Sequence, residues 1–178
     1  MRKVVAYELL SLDGVAEDPD AYVAEFDEVM RENMRRTIAT QDTVLLGRRS
    51  YDEWFGFWPG SEIQPFSDFI NGVEKFVVTS TAPSELWANT AVMDGDLGGF
   101  IAELKQRSGG DIGVHASITL TQSLLKAGLV DELRLVVTPA IHLHGRKLFD
   151  GGLPKALKLI RHDASPSGSL LLDYQVEN

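Results

Sequence analysis

Short apolar runs, alternating with longer amphipathic segments, constrain this chain more than any other feature. Runs rich in β-branched and aliphatic residues recur at Lys3–Leu12, Thr43–Leu46, Lys75–Thr79, Thr90–Met93, Ile112–His115 and Leu133–Ile141. Two weaker runs close the chain, Ala156–Ile160 and Ser169–Val176. Most are too short for core helices and are bounded by Gly, Asp or Pro, so they read as strands. Helical segments lie between them. Asp20–Ala39 carries Tyr22, Phe26, Val29, Met30, Met34, Thr37 and Ile38 on one stripe; Leu97–Arg107 ends at Gly109-Gly110; Ile118–Ala127 ends at Gly128. Strands alternating with helices demand crossover connections and a largely parallel α/β sheet. The last two runs flank the turn-rich Asp163–Gly168 and predict an antiparallel hairpin. Trp54–Asp68 has no clear period and is a candidate lid or substrate wall, or an aromatic loop that simply packs down.

The 178 residues suit one domain. With no cysteine, neither a disulfide framework nor a thiolate zinc site can form. His142 and His144 lie two apart with only Asp150 as a nearby acid, too few ligands for a metal site, so none is expected. The first apolar run breaks at Glu8, too early for a secretory core, and no stretch approaches a membrane span. A cytoplasmic protein is expected. Seventeen basic against 26 acidic side chains give a net charge of −9, which disfavours nucleic acid as a partner and favours a small ligand in a locally basic pocket.

Three segments at strand ends fit such a pocket. Gly47-Arg48-Arg49-Ser50 ends an apolar run with a flexible turn, two guanidinium groups and a hydroxyl, as a phosphate seat requires. The same residues also serve as an ordinary strand-to-helix turn with solvated arginines. Thr79-Ser80-Thr81 brings hydroxyls to the carboxyl end of a strand, the favoured binding edge of open α/β sheets, though such residues also merely turn a chain. His115-Ala116-Ser117 leads a strand straight into a helix through small residues, beside which a diphosphate could lie; an ordinary Ser cap is the plain alternative. No G-x-G-x-x-G is present.

The order of these segments, with Ser11-Leu12-Asp13-Gly14 before them and Gly128-Leu129-Val130-Asp131-Glu132-Leu133, Pro139 and Gly145-Arg146-Lys147-Leu148-Phe149 after them, resembles the RibD C-terminal-domain family, the reductase domain of riboflavin biosynthesis and its stand-alone relatives. The resemblance covers nearly the whole chain. It implies a dihydrofolate reductase-like fold: a twisted, mostly parallel eight-stranded sheet with helices on both faces. It further implies NADPH as cofactor and a homodimer, with β edges or the Val130–Ile141 region at the interface. Carried over by position, Gly47, Arg48 and Ser50 meet the phosphates, and Arg49 between them is a further cofactor-binding candidate. Thr79, Ser80 and Thr81 lie near the adenosine 2′-phosphate. His115, Ala116 and Ser117 lie beside the diphosphate, and Asp13, Gly14, Val15 and Ala16 border the nicotinamide. Ala116 departs from the glycine usual in the family.

The activity implied is hydride transfer to a small heterocycle or related carbonyl or imine, the riboflavin-pathway pyrimidine or a pterin among them. A proton-handling acid is also needed. On the first helix Asp27 lies closest to the apolar stripe and is the candidate, with a raised pKa if buried; a boundary acid paired to Arg31 is the alternative. Glu8, inside a strand, is a second acid that could face the cleft and would need a partner or water. Asp13 reads as a turn cap. A non-catalytic dinucleotide-binding or structural dimeric module of the same fold is the rival to the enzyme.

Overall fold

The computed structural model describes residues 1–152 and 155–177. Eight strands form one sheet: β1 (Val4–Leu10), β2 (Gln41–Gly47), β3 (Glu74–Val78), β4 (Thr90–Met93), β5 (Asp111–His115), β6 (Glu132–Val137), β7 (Leu157–Ala164) and β8 (Leu170–Val176). Their order is β4-β3-β2-β5-β1-β6-β8-β7. The first six strands run parallel, and β8 and β7 add an antiparallel hairpin beside β6. Every expected strand is present. The Leu133–Ile141 run is cut at Val137, before Pro139, which has no amide to offer a ladder.

Among the described residues five α-helices cover the sheet: α1 (Glu28–Ile38), α2 (Arg48–Phe55), α3 (Phe66–Gly72), α4 (Leu97–Gln106) and α5 (Ile118–Lys126). Met30, Met34 and Ile38 of α1, Tyr51 of α2 and Phe66 and Ile70 of α3 pack with Tyr7, Val44, Leu46 and Val77 on one face. Ile101 and Leu104 of α4 and Ile118, Leu120 and Leu124 of α5 pack with Val4, Ala6, Leu45 and Val114 on the other. Buried on both faces, the central strands read as continuous apolar runs.

The first helix is shorter than its spacing suggested. Tyr22 and Phe26 continue the apolar register, yet the helix starts only after Asp27, whose extended backbone and side chain form the cap. Three aromatic rings of residues 54–68 pack down on the core. Trp54, Trp58 and Phe66 pack edge to face, with ring centroids 4.9–5.9 Å apart, against the α1–α3 side of the core. β6, within the Val130–Ile141 region, lies inside the sheet between β1 and β8 as a central strand. No helix among the described residues is long and apolar enough to cross a membrane.

Candidate functional site

The sheet order sets adjacent strands β2 and β5 to feed helices on opposite faces, α2 on one and α5 on the other. Chains diverge there beyond the carboxyl ends of the strands, which is where open α/β sheets hold ligands. The two helix starts are tied together. The Gly47 amide donates to Ser117 Oγ at 3.0 Å, and Ser50 Oγ donates to the Ala116 carbonyl at 2.7 Å. A Cβ on Gly47 would sit 3.7 Å from the Ser117 side chain, in ordinary contact, so glycine here keeps the space open rather than relieving a clash. Neither Gly47 nor Ser117 caps its own helix through a side chain. The starts of two neighbouring helices are thus held side by side, each with the partial positive charge of a helix N-terminus.

Arg48 spans from β2 towards β3. Its Nε bonds both carboxylate oxygens of Asp52, at 2.8 and 2.9 Å, and its Nη1 donates to the Thr81 carbonyl. The Thr81 amide donates to Thr79 Oγ1 at 3.2 Å, and Ser80 is exposed at the tip of the turn. Arg49 pairs instead with Glu53 at 3.0 Å and Glu17 at 3.1 Å. Neither arginine is simply solvated, as a bare turn would leave it; both are steadied by acids.

At the end of β1, Asp13 is a clasp. Its carboxylate accepts from the His142 amide at 2.9 Å, Ser11 Oγ at 2.7 Å and the Leu143 amide at 3.0 Å, which hold its pKa well below the usual carboxylate range. Gly14 takes φ +84°, and Val15 bridges Lys147 in an isolated antiparallel pair. The Asp13–Ala16 loop is thereby pinned to residues 140–148. Those residues deliver Arg146, whose Nε meets Glu17 at 2.9 Å and whose Nη1 donates to Thr119 Oγ1 at 3.3 Å on the first turn of α5. Gly145-Arg146-Lys147 carries the family resemblance in the sequence, and in the fold it also brings a cation to the site. The signal for a site was there: glycine followed by two basic residues repeats the pattern of Gly47-Arg48-Arg49.

Two expectations need correction. The His115 backbone ends β5 at the site, but its side chain turns into the core among Tyr7, Phe66 and Phe69, and its Nε2 donates to Gln41 Oε1 at 2.7 Å. Burial, and then the Arg134 charge, push its pKa down to about 3, so the ring is neutral and structural. Asp27 likewise has another task. Its Oδ1 accepts from the Met30 amide and its Oδ2 from the Ser167 amide, each at 3.0 Å, joining α1 to the β7–β8 turn. Burial works to raise its pKa, but these amides and the Ser167 and Ser165 hydroxyls outweigh it, and the carboxyl falls to about 2. The raised pKa expected of a substrate-facing acid is reversed.

Ala116 holds φ +48°, a left-handed conformation that a side chain disfavours by about 1–2 kcal/mol. Glycine adopts this conformation without that cost. Glu8 points to the α5 face, 3% exposed, where Thr121 Oγ1 donates to it at 3.3 Å and the Ser117 amide faces it. Burial pushes its pKa up to about 8.

The profile of the RibD C-terminal domain matches residues 2–171, and the chain belongs to that family, whose reductases serve the riboflavin pathway. It is 28% identical over 151 residues to the Bacillus subtilis protein YwjB, covering 83% of each. Its fold is that of dihydrofolate reductase-like RibD domains. A protein of Shewanella sp. PV-4 named for riboflavin biosynthesis superposes with a TM-score of 0.81 at 17% identity, over 99% of both chains. The Thermotoga maritima diaminohydroxyphosphoribosylaminopyrimidine deaminase/5-amino-6-(5-phosphoribosylamino)uracil reductase superposes with a TM-score of 0.71 at 15% identity, over 99% of this chain and 57% of that one.

Proposed function

We propose that this protein is an NADPH-dependent reductase of a small heterocycle or a related carbonyl or imine, working at the carboxyl edge of β3, β2, β5 and β1. The observation that carries the reading is the pair of helix starts at Gly47 and Ser117, joined to each other and uncapped by their own side chains. Such paired amide turns suit a diphosphate. Arg48, with Thr79, Ser80 and Thr81, offers a cation and hydroxyls for a further phosphate at the outer end. Gly14, Val15 and Ala16 give a closely held backbone wall at the inner end, with Asp13 fixing it from behind. When bound, a reduced nicotinamide supplies hydride; the chain orients it and shields it from water. Ser50, Ser117 and the first-turn amides hold the anionic centre, and Arg49 and Arg146 close its rim through Glu17. The uracil intermediate named for the Thermotoga maritima enzyme, and pterins, define the substrate class to test first.

A second copy of this chain belongs to the same reading. The outermost strand, β7, exposes Leu157, Leu159 and Ile160 along an unpaired edge, an arrangement that isolated proteins blunt and that a dimer covers.

The test of the cofactor assignment is a fluorescence titration of wild type and Arg48→Ala with NADPH and with NADH. Loss of NADPH affinity by tenfold or more, with NADH little changed, fits Arg48 at the extra phosphate. Equal loss for both moves it to the diphosphate, and no binding of either by wild type rejects the reading. A non-catalytic dinucleotide-binding module is favoured by one observation, the side chain on Ala116 in a glycine conformation. Binding of NADPH without turnover of any heterocycle would select it.

A further inference from the structure

Among the described residues, Glu8 is the one buried acid beside this site that no cation neutralises. It sits on β1 one step past Tyr7, whose partner on β5 is His115, and is therefore level with Ala116, where β5 turns into α5. Its carboxyl is enclosed, with Thr121 Oγ1 and the Ser117 amide as its partners, both on α5. That amide belongs to the same turn of chain that ties to Gly47. A carboxylate and a diphosphate would then compete for one helix start, and each would repel the other across a water-poor space.

We propose that Glu8 positions the dinucleotide by its own protonation: the cofactor's phosphates settle at the start of α5 only while the Glu8 carboxyl is neutral, so binding is linked to one proton at this residue. The proposal rests on the dinucleotide reading above. In its neutral form the acid takes the Thr121 and Ser117 hydrogen bonds without placing charge under the ligand. Ionised, it would cancel the positive end of α5. Burial supports the assignment, holding the pKa near 8 rather than 4.5. Four other titratable groups near Glu8 have shifted pKa values. The phenols of Tyr7, on the opposite sheet face, and Tyr22, from the following loop, are both shifted upwards by burial. Asp13 and Glu17 are held ionised by their amide and arginine partners.

The experiment is calorimetric titration of NADPH into wild type and Glu8→Gln at pH 7 and pH 9. For wild type the account expects Kd to rise by about tenfold at pH 9, the limit set by one group titrating near 8. Glu8→Gln, neutral at both pH values, should bind alike at each and close to wild type at pH 7. The second measurement uses wild type alone, at pH 8.5 in buffers of different ionisation enthalpy. Uptake of most of one proton is expected there, with almost none at pH 7. Binding that persists unchanged from pH 7 to 9 without proton uptake overturns the role of Glu8 and leaves the dinucleotide reading standing, as does an equal fall in both proteins. Absence of NADPH binding at every pH overturns the reading itself, and this inference with it.

Discussion

Replacing Asp27 with alanine should cost stability rather than cofactor binding. Two amides depend on its carboxylate: that of Met30 inside the first turn of α1, and that of Ser167 in the turn between β7 and β8. Losing the cap costs about 1 kcal/mol, and leaving the part-buried Ser167 amide unpaired adds about 1–3 kcal/mol. Together these give about 2–4 kcal/mol. For a chain of this size each kcal/mol moves Tm by about 2–4 °C, so Asp27→Ala should melt about 5–15 °C lower. Asn keeps the bond to Met30 but presents an amide nitrogen to Ser167, so Asp27→Asn should fall between the two. The deficit depends on pH. A carboxyl whose folded pKa is about 2, below its ordinary 3.8, contributes fully above pH 3.8 and loses that contribution as pH falls through 2. The melting points of Asp27→Ala and wild type should therefore converge between pH 4 and pH 2. Differential scanning calorimetry at pH 7 and across the acid range reads both effects. A variant melting within 1 °C of wild type at pH 7, or a gap that widens in acid, would refute the capping account.

Other consequences are direct. Ala116→Gly removes a Cβ from a φ of +48° and should raise stability by about 0.5–1 kcal/mol, after the entropy glycine adds to the unfolded chain, with tighter NADPH binding; urea denaturation and a titration check it, and a loss above 1 kcal/mol would contradict it. Leu159→Lys, on the exposed edge of β7, should convert dimers to monomers in light scattering without lowering Tm by more than a few degrees; an unchanged mass removes β7 from the interface. Glu8 is raised from 4.5 to about 8 on folding, so the folded state holds a proton the unfolded chain releases, and stability should fall as pH climbs from 4.5 to 8. Glu8→Gln should flatten that decline in denaturation curves at a series of pH values; a parallel decline would contradict the burial of the charge.

Most of the fold was legible because the central strands are buried on both faces, and Val4–Leu10, Thr43–Leu46 and Ile112–His115 can be read as little else. The hairpin was legible from its turn residues. The start of α1 was not, because Tyr22 and Phe26 fall in helical register while packing from an irregular segment, and only the Asp27 cap marks the boundary. Helices α2 and α3 span eight and seven residues, too few for a period to stand out, although Tyr51, Trp54 and Phe55 on one and Phe66, Phe69 and Ile70 on the other each share a face. In the site, the backbone positions at Gly47, Thr79 and Ser117 could be placed because strand ends are fixed by the fold. Side-chain directions could not: His115 turns inward to Gln41, which lies 74 residues away in sequence. Nor could sequence tell the surroundings of each acid, since Asp27 gains two backbone amides and Glu8 gains burial beside Thr121 and Ser117 only after the chain has folded.

The crystal structure of the protein grown with NADPH tests the central claim most directly. The account predicts the diphosphate between the starts of α2 and α5, touching the Gly47–Ser50 and Ala116–Ser117 segments, with the nicotinamide against Gly14–Ala16. A cofactor bound away from these strand ends, or crystals that contain none at saturating NADPH, would contradict it.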